Sequence, residues 1–512
     1  MTHTTSVSSL SPHDFADARS QPIRTFRHAR HPGHVGTSAS RPETGRLVVV
    51  SNRVANPGDG QGGRLADILR CVLRMHGGLW FGWSGAINPS PGLSMSHDTR
   101  GGFDMAAVDL DPADHEAFYN GFSARALHPL LHSRLHDMEF SREDMLAWFR
   151  VNDHLATRLK EQLQPNDRIW VNDLHMLPMI GKLRELGVDS RIGLFLHEAL
   201  PACNVLASLP CHDKVFNGLA ACDLIGVQTA RDEHVVRDYL TRFHAAVGRG
   251  DRLRMGSHVL HLSAFPVGID VKHVAGLAQR ADARALFRRF RINLGSHKLL
   301  LGIDRPDHSK GLCQRLRAID HLLRQSPQLA GSFSMLQISP PVRYDMPHCR
   351  DLDHEICRHI SDINGRHAGP DWSPVRYVKK DFRRQVLAGY LRAADVGLMT
   401  PLHDGMNLTA KEYVACQDPA DPGVLVLSRF SGAACELTDA LQVNPLDVGD
   451  MAAGIRTAMR MPLDERRARW ESLMNVLCRQ DLRRWGCDFL DALSRPPAAT
   501  RQLPTTSSVR MV

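Results

Sequence analysis

The sequence predicts a doubly wound α/β architecture, two Rossmann-like domains facing each other across a cleft. Three observations predict it. Short apolar runs rich in Val, Ile, Leu and Phe recur along the chain, and segments with helical spacing separate most of them. The runs fall into two sets, one before and one after about residue 280. At 512 residues the chain is long enough for two such domains, each with its own core.

The first set comprises 47–51, 168–171, 192–197 and 224–228; the second comprises 299–304, 334–338, 396–400 and 424–428. Each run is apolar at successive positions, the pattern of a parallel strand covered by helices on both faces. Helical periodicity is clearest at 65–75, 176–186 and 232–243. Between the sets, 271–291 is charged, Ala/Arg-rich and helical in spacing. The expected division is a first domain over 46–280, a second over 281–460, and closing helices over 461–495 that cross back to the first. Residues 1–45 are rich in Ser, Thr, His, Pro and Arg with few acids, and 496–512 are again Pro/Thr/Ser-rich. Neither has apolar periodicity, so both are expected to be disordered.

Composition excludes several function classes. Hydrophobic residues make up 43% and charged residues 23%, as in an ordinary globular protein. No apolar run reaches about 18 residues, so no membrane span is expected. The net charge of +8 comes from scattered basic residues, not from one stripe, which argues against a nucleic-acid partner. The eleven Cys are odd in number and lack a C-x-x-C pair, which fits reduced thiols in a cytoplasmic compartment. Cys211-His212 and His348-Cys349 lack the repeated spacing of a zinc site, so no metal is expected. The amino-terminal stretch has no apolar segment of a secretory signal. Its composition suits an organellar transit peptide, a bacterial type III secretion signal or a plain tail.

Ligands of open parallel sheets bind beyond the carboxyl ends of the strands. Ser51-Asn52-Arg53 follows the first run, with Gly60 to Gly63 shortly after it. Asp173 and His175 follow the second, and His197 ends the third. In the second half Arg305 and Lys310-Gly311 follow one run, Arg343 another, and Asp404 to Glu412 a third. Arg305 and Lys310 place a guanidinium fork and a point charge near one loop, as a diphosphate requires. Gly405-Met406-Asn407-Leu408 opens an expected helix over 407–416, whose free amides favour an anion. Glu412, one turn in, can accept from two vicinal hydroxyls of a ribose, although its spacing suits a solvent-facing carboxylate equally well. Asp404 and His197 suit a polyol. Arg53 and Arg343, on opposite halves, would add a second anion site if both face the cleft. No P-loop, dinucleotide fingerprint or Ser-His-Asp order competes.

These residues lie in motifs that resemble the trehalose-6-phosphate synthases, retaining glycosyltransferases of the GT-B fold. The resemblance covers about 46–493. It rests on Val-Val-Val-Ser-Asn-Arg (48–53), Gly-Gly-Leu-Trp-Phe-Gly-Trp-Ser-Gly (77–85), Phe-Pro-Val-Gly-Ile-Asp (265–270) and Thr-Pro-Leu-His-Asp-Gly-Met-Asn-Leu (400–408). Ala-Lys-Glu-Tyr-Val-Ala (410–415) and Pro-Gly-Val-Leu-Val-Leu-Ser (422–428) continue it. The resemblance implies glucosyl transfer from UDP-glucose, as co-substrate, to glucose-6-phosphate, without a metal or other cofactor. It also implies that Arg305 and Lys310 grip the diphosphate, and that Glu412 holds the ribose. Gly63 and the 405–408 backbone would cradle the leaving group. His197 and Asp404 would hold the donor glucose, with Asp173 close to the reacting centre. Arg53, Tyr119 and Arg343 would bind the acceptor.

Departures cluster on the acceptor side. His128-Pro129 stands where the family usually carries Trp. Asn172-Asp173-Leu174-His175 replaces His-Asp-Tyr-His, and Glu198-Ala199-Leu200-Pro201 replaces Ile-Pro-Phe-Pro. Two alternatives therefore stand beside the synthase. One is a related transferase or pseudo-glycosyltransferase for another phosphorylated acceptor such as glycerol-3-phosphate. The other is a catalytically weak regulator that binds sugar phosphates. Relatives of this kind occur among type III effectors, which makes delivery into a host cell a further expectation. Homo-oligomerisation is left open.

Overall fold

The structure is a computed structural model, and it describes residues 45–54, 63–99, 101–280, 292, 295–341 and 347–495. The expectations for 1–44, for 281–291, for Arg343 and for the tail from 496 lie outside the described residues. Residues 45–495 fall within one compact unit.

The chain opens with β1 (Leu47–Arg53), whose first five residues are buried on both faces, then α1 (Gly63–His76) and three strands, β2 (Leu79–Ile87), β3 (Leu93–Asp98) and β4 (Phe103–Leu110). A helical stretch, 112–131, follows, and its middle, Glu116–Leu127, is a π-helix. Then come α2 (Arg142–Lys160), β5 (Arg168–Asn172), α3 (Leu177–Glu185), β6 (Arg191–Phe195), β7 (Leu224–Val227), α4 (Ala230–Phe243), β8 (Arg252–Met255) and β9 (His258–Ala264). These strands form one nine-stranded sheet in the order β3-β4-β2-β1-β5-β6-β7-β9-β8. Only the two rim pairs, β3–β4 and β8–β9, run antiparallel.

The second sheet follows helix α5 (Val271–Gln279). It is built from β10 (Lys298–Ile303), α6 (Leu312–Gln325), β11 (Phe333–Ser339), α7 (Pro347–His367), β12 (Val375–Lys379), α8 (Arg384–Ala393), β13 (Val396–Met399), α9 (Leu408–Cys416), β14 (Val424–Ser428) and β15 (Leu441–Val443). The order is β12-β11-β10-β13-β14-β15, parallel throughout. Helices α10 (Val448–Arg460), α11 (Leu463–Arg479) and α12 (Leu482–Ser494) close the chain. Chain order reverses beside β1 in one sheet and beside β10 in the other. Loops after those strands diverge there and open a crevice.

All eight expected apolar runs are strands. The strands without such a signal are mainly β2, β4 and the rim pairs, because Gly and polar residues interrupt them. Helix α5 precedes residue 281 but packs against α8 and α9. Helix α11 packs on α9, whereas α12 packs on α1, β6 and β7 of the first sheet. Phe489 of α12 stacks on Trp170 with ring centroids 4.4 Å apart. Gly193 and Gly226 lack a side chain where the Phe489 ring lies, and a Cβ on Gly226 would sit 2.7 Å from it. The aromatic ring occupies the room these glycines leave, and that contact ties the chain's end to its beginning. Among the described residues no helix is long and apolar enough to cross a membrane, and every cysteine is a free thiol.

Candidate active site

Strand ends from both sheets meet in the crevice. One approach is backbone to backbone: a Cβ on Gly405 would stand 2.2 Å from the His197 carbonyl oxygen, so only glycine fits there. Asp404 and Gly405 follow β13 and His197 follows β6, so this contact joins the two halves at their strand ends.

On the first side, Asn172 fixes His197. The Asn172 amide nitrogen donates to the Val50 and Trp170 carbonyls at 3.0 and 3.4 Å, which leaves its oxygen to accept from His197 Nε2 at 3.0 Å. His197 Nε2 therefore carries the proton and Nδ1 is left as an acceptor. Burial pushes the imidazole down to about 3, so it is neutral at every physiological pH. Asp173 has φ of +66°, and its carboxylate accepts from the His197 amide at 3.3 Å. Burial, and then the nearby Glu198 carboxylate, push Asp173 up to about 7. His175 is likewise driven down to about 4 by burial.

On the second side, a short 3₁₀ turn, His308–Lys310, leads from β10 into α6. Asp307 caps it by accepting from the Ser309 amide at 2.8 Å. Lys310 Nζ lies 3.0 Å from Asp404 Oδ2, to which the Asn407 amide also donates, at 3.1 Å. Burial opposes the Lys310 charge, but the Asp404 and Glu198 carboxylates outweigh it and hold the ammonium above its ordinary value. Asn407 adopts left-handed φ of +67° and caps α9 by accepting from the Ala410 amide at 3.0 Å. The N-terminus of α9 thus opens within reach of Asp404 and Lys310.

A cavity of about 290 Å³ lies between the halves, lined by Tyr119, Asp173, His197 and Glu198 from the first and by Arg305 and Asp307 from the second. Tyr119 stands on the π-helical stretch, 5.9 Å from the Trp83 ring, and the Arg53 guanidinium lies 5.7 Å over that same ring. The three departures from the family pattern, His128, Leu174 and Glu198, all line this cavity. His128 Nε2 reaches Asp307 Oδ2 at 3.3 Å across the cleft, and His132 Nε2 lies 3.9 Å from Glu198. Burial disfavours the Glu198 charge, yet His132, Lys310, His128 and Arg305 together hold it below the usual carboxylate value.

A second cavity of about 640 Å³ is lined by Gly63, Arg64 and Asp67 of α1, Arg384 of α8, and Glu412 and Cys416 of α9. Glu412 is only 8% exposed, so it is not the solvent-facing carboxylate its spacing equally suited. Arg64 pairs with it at 3.0 Å and Arg384 at 3.2 Å, while Arg384 also reaches Asp67 at 3.0 Å.

Asp173, His197, Tyr119 and Arg305 thus share one cavity, Gly63 and Glu412 share the other, and Lys310, Asp404, Gly405 and Asn407 cluster at the opening of α9. Met406 is buried and held through its carbonyl by Ala433 and Ser431, and Leu408 starts α9. Sequence reasoning missed Asp307, His132, Arg64 and Arg384. Asp307 was within reach, two positions beyond Arg305 in one strand-end loop. The two arginines lie in first turns of helices with no motif to mark them.

Against known proteins, glycosyltransferase family 20 matches residues 49–495. A trehalose-6-phosphate synthase of Sinorhizobium fredii is 39% identical over 459 residues, 88% of this chain and 98% of the relative. One from Cronobacter sakazakii is 38% identical over 463 residues, 90% of this chain and 97% of the relative. Among solved structures, the α,α-trehalose-phosphate synthase (UDP-forming) of Burkholderia xenovorans in complex with glucose-6-phosphate superposes with a TM-score of 0.84 at 40% identity, covering 88% of this chain and all of the other. An E. coli structure bound with UDP-2-fluoro glucose gives 0.83 at 37% identity, covering 88% and 99%.

Proposed function

The chain belongs to glycosyltransferase family 20, and on that premise we propose that it transfers glucose from UDP-glucose to glucose-6-phosphate with retention, giving trehalose-6-phosphate and UDP. The observation that carries this reading is the cation–helix site of Lys310, Arg305 and the opening of α9, set beside the cavity between the halves. The donor's diphosphate belongs at the first and the acceptor in the second.

In this account the bond between the glucosyl anomeric carbon and the phosphate oxygen breaks as the acceptor hydroxyl bonds that carbon from the same face. The acceptor's proton passes to the departing phosphate oxygen. Arg305, Lys310 and the amides opening α9 stabilise the developing charge. Asp404, now paired with Lys310, releases it to the diphosphate and accepts from the donor's hydroxyls. His197, neutral, offers Nδ1 to the same sugar. Glu412 exchanges its arginine partners for the ribose. Tyr119, Arg53 and Arg343 hold the acceptor, with Asp173 beside the reacting centre, so that most of the acceleration comes from positioning two sugars.

A second reading is favoured by one observation, the lining of the acceptor cavity by His128, Leu174 and Glu198. Imidazole and carboxylate in place of aromatic surface suit another phosphorylated acceptor, such as glycerol-3-phosphate. One assay separates the readings: UDP release from UDP-glucose, with and without each acceptor. Release that depends on glucose-6-phosphate supports the synthase, and release only with the other acceptor supports the alternative. Donor binding without release would leave a regulator. Delivery by a type III system is supported by the Ser-rich, acid-poor composition of 1–45. A reporter fused to those residues and retained by secreting cells would rule it out.

A further inference from the structure

In the second half, α6 and α7 pack side by side and bring three different donor groups together. Cys313, in the first turn of α6, faces Glu355 and His359, one turn apart on α7, and their ligand atoms all lie within 4.8 Å of one another. We infer that Cys313, Glu355 and His359 form a binding site for a divalent transition cation of the zinc class, outside the glycosyl-transfer site.

The donor set selects the metal. A thiolate, an imidazole and a carboxylate suit Zn²⁺ and its neighbours, whereas Mg²⁺ and Ca²⁺ require oxygen alone. Spacing allows it: i and i+4 positions share a helix face, so Glu355 and His359 approach a common point from α7 while Cys313 approaches from α6. Tetrahedral coordination at about 2.0–2.3 Å needs ligand atoms roughly 3.3–3.8 Å apart, a contraction within reach of side-chain adjustment. His359 Nε2 is buried and 3.4 Å from Glu355 Oε1 but makes no hydrogen bond there, so a ring nitrogen is left without a hydrogen-bond partner at the meeting point. Three protein ligands leave a fourth position for water, and Cys313 is buried while the other two are part-exposed, so that position faces outward.

Arg317 holds Glu355 at 3.3 Å, the place of an outer partner that orients a ligating carboxylate. Binding forms the sulfur–metal bond and releases the thiol proton to solvent, so affinity rises with pH. The expectation of no metal rested on sequence spacing alone, and these three residues meet only when the helices pack.

Loading the metal-free full-length protein with one equivalent of Co²⁺ tests the site. The expected result is the strong visible absorption of four-coordinate Co²⁺ together with a thiolate-to-metal charge-transfer band. Both are lost in Cys313→Ser, and Zn²⁺ displaces the Co²⁺ signal in the wild type. Zn²⁺ affinity, by competition with a chromophoric chelator, falls in Cys313→Ser and in His359→Gln by more than the roughly 10–100-fold that loss of an outer partner costs. Acceptor-dependent UDP release by both variants confirms that they fold. If either variant does not, Glu355→Gln supplies the same comparison. Absence of the charge-transfer band in the wild type, or its persistence in Cys313→Ser, would overturn the proposal.

Discussion

Asp173 and Glu198 face the same cavity, and their carboxylates repel. Glu198 keeps its charge at neutral pH with the Lys310 and Arg305 cations beside it, so Asp173 takes up the strain. Its folded value, raised to about 7, means the carboxylate forms only as pH climbs through that value. If Asp173 serves as a carboxylate, kcat/KM for the acceptor rises with pH to a plateau above about 7. Glu198→Gln removes one cause of the shift and moves the acid limb of the profile toward lower pH. A limb that stays in place would show that a different group titrates. His197 contributes nothing to this limb, since burial keeps it neutral throughout. Motifs marked Asp173 and His197, but not their environment. Which carboxylate yields its charge depends on residues from the loop between β10 and α6, the end of the 112–131 helical stretch and the loop after β6, and no sequence spacing encodes that meeting.

At the scale of elements, α9 and the loop before it do most to shape the site. Asn407 caps the helix from a left-handed conformation, and Gly405 lets the loop touch the His197 carbonyl. Gly405→Ala would place a methyl 2.2 Å from that oxygen, forcing the β13 loop off the β6 loop. A displacement of about 1 Å between donor and acceptor costs on the order of 100-fold in rate. Turnover of Gly405→Ala should fall by that order while the protein still folds, as circular dichroism would confirm. Full activity would mean the halves need not close at this point. Eight strands were legible because their apolar runs are local, and α9 because Gly405 to Leu408 marks its start. The π-helical stretch carrying Tyr119 was not, since its hydrogen-bond pattern follows from packing against α2 and not from a sequence period. The Arg64–Glu412–Arg384 cluster was equally hidden, because three separate helices supply it.

The whole molecule is a GT-B glycosyltransferase in which two parallel sheets are linked at unequal strength. Helix α12 is the strong link: Trp485 and Phe489 are buried against Trp170 and Phe195 of the first sheet. Phe489→Ala empties that space, and a loss of about 3–5 kcal/mol is expected, measurable by denaturant unfolding. A loss below about 1 kcal/mol would show that α12 is not the tether. The weak links are the part-exposed ion pairs of Arg64, Arg384 and Asp67 and the His128–Asp307 contact. Exposed pairs contribute at most about 1 kcal/mol each.

That arrangement, with the donor's diphosphate at Lys310, Arg305 and α9 and the acceptor in the cavity between the halves, is the central claim. Steady-state kinetics of Lys310→Ala, with each substrate varied in turn, test it most directly. The account predicts that kcat/KM for UDP-glucose falls by roughly 100-fold or more, while the KM for glucose-6-phosphate changes little. A variant that keeps wild-type kcat/KM for UDP-glucose, or one whose principal defect is a raised KM for glucose-6-phosphate, would contradict it.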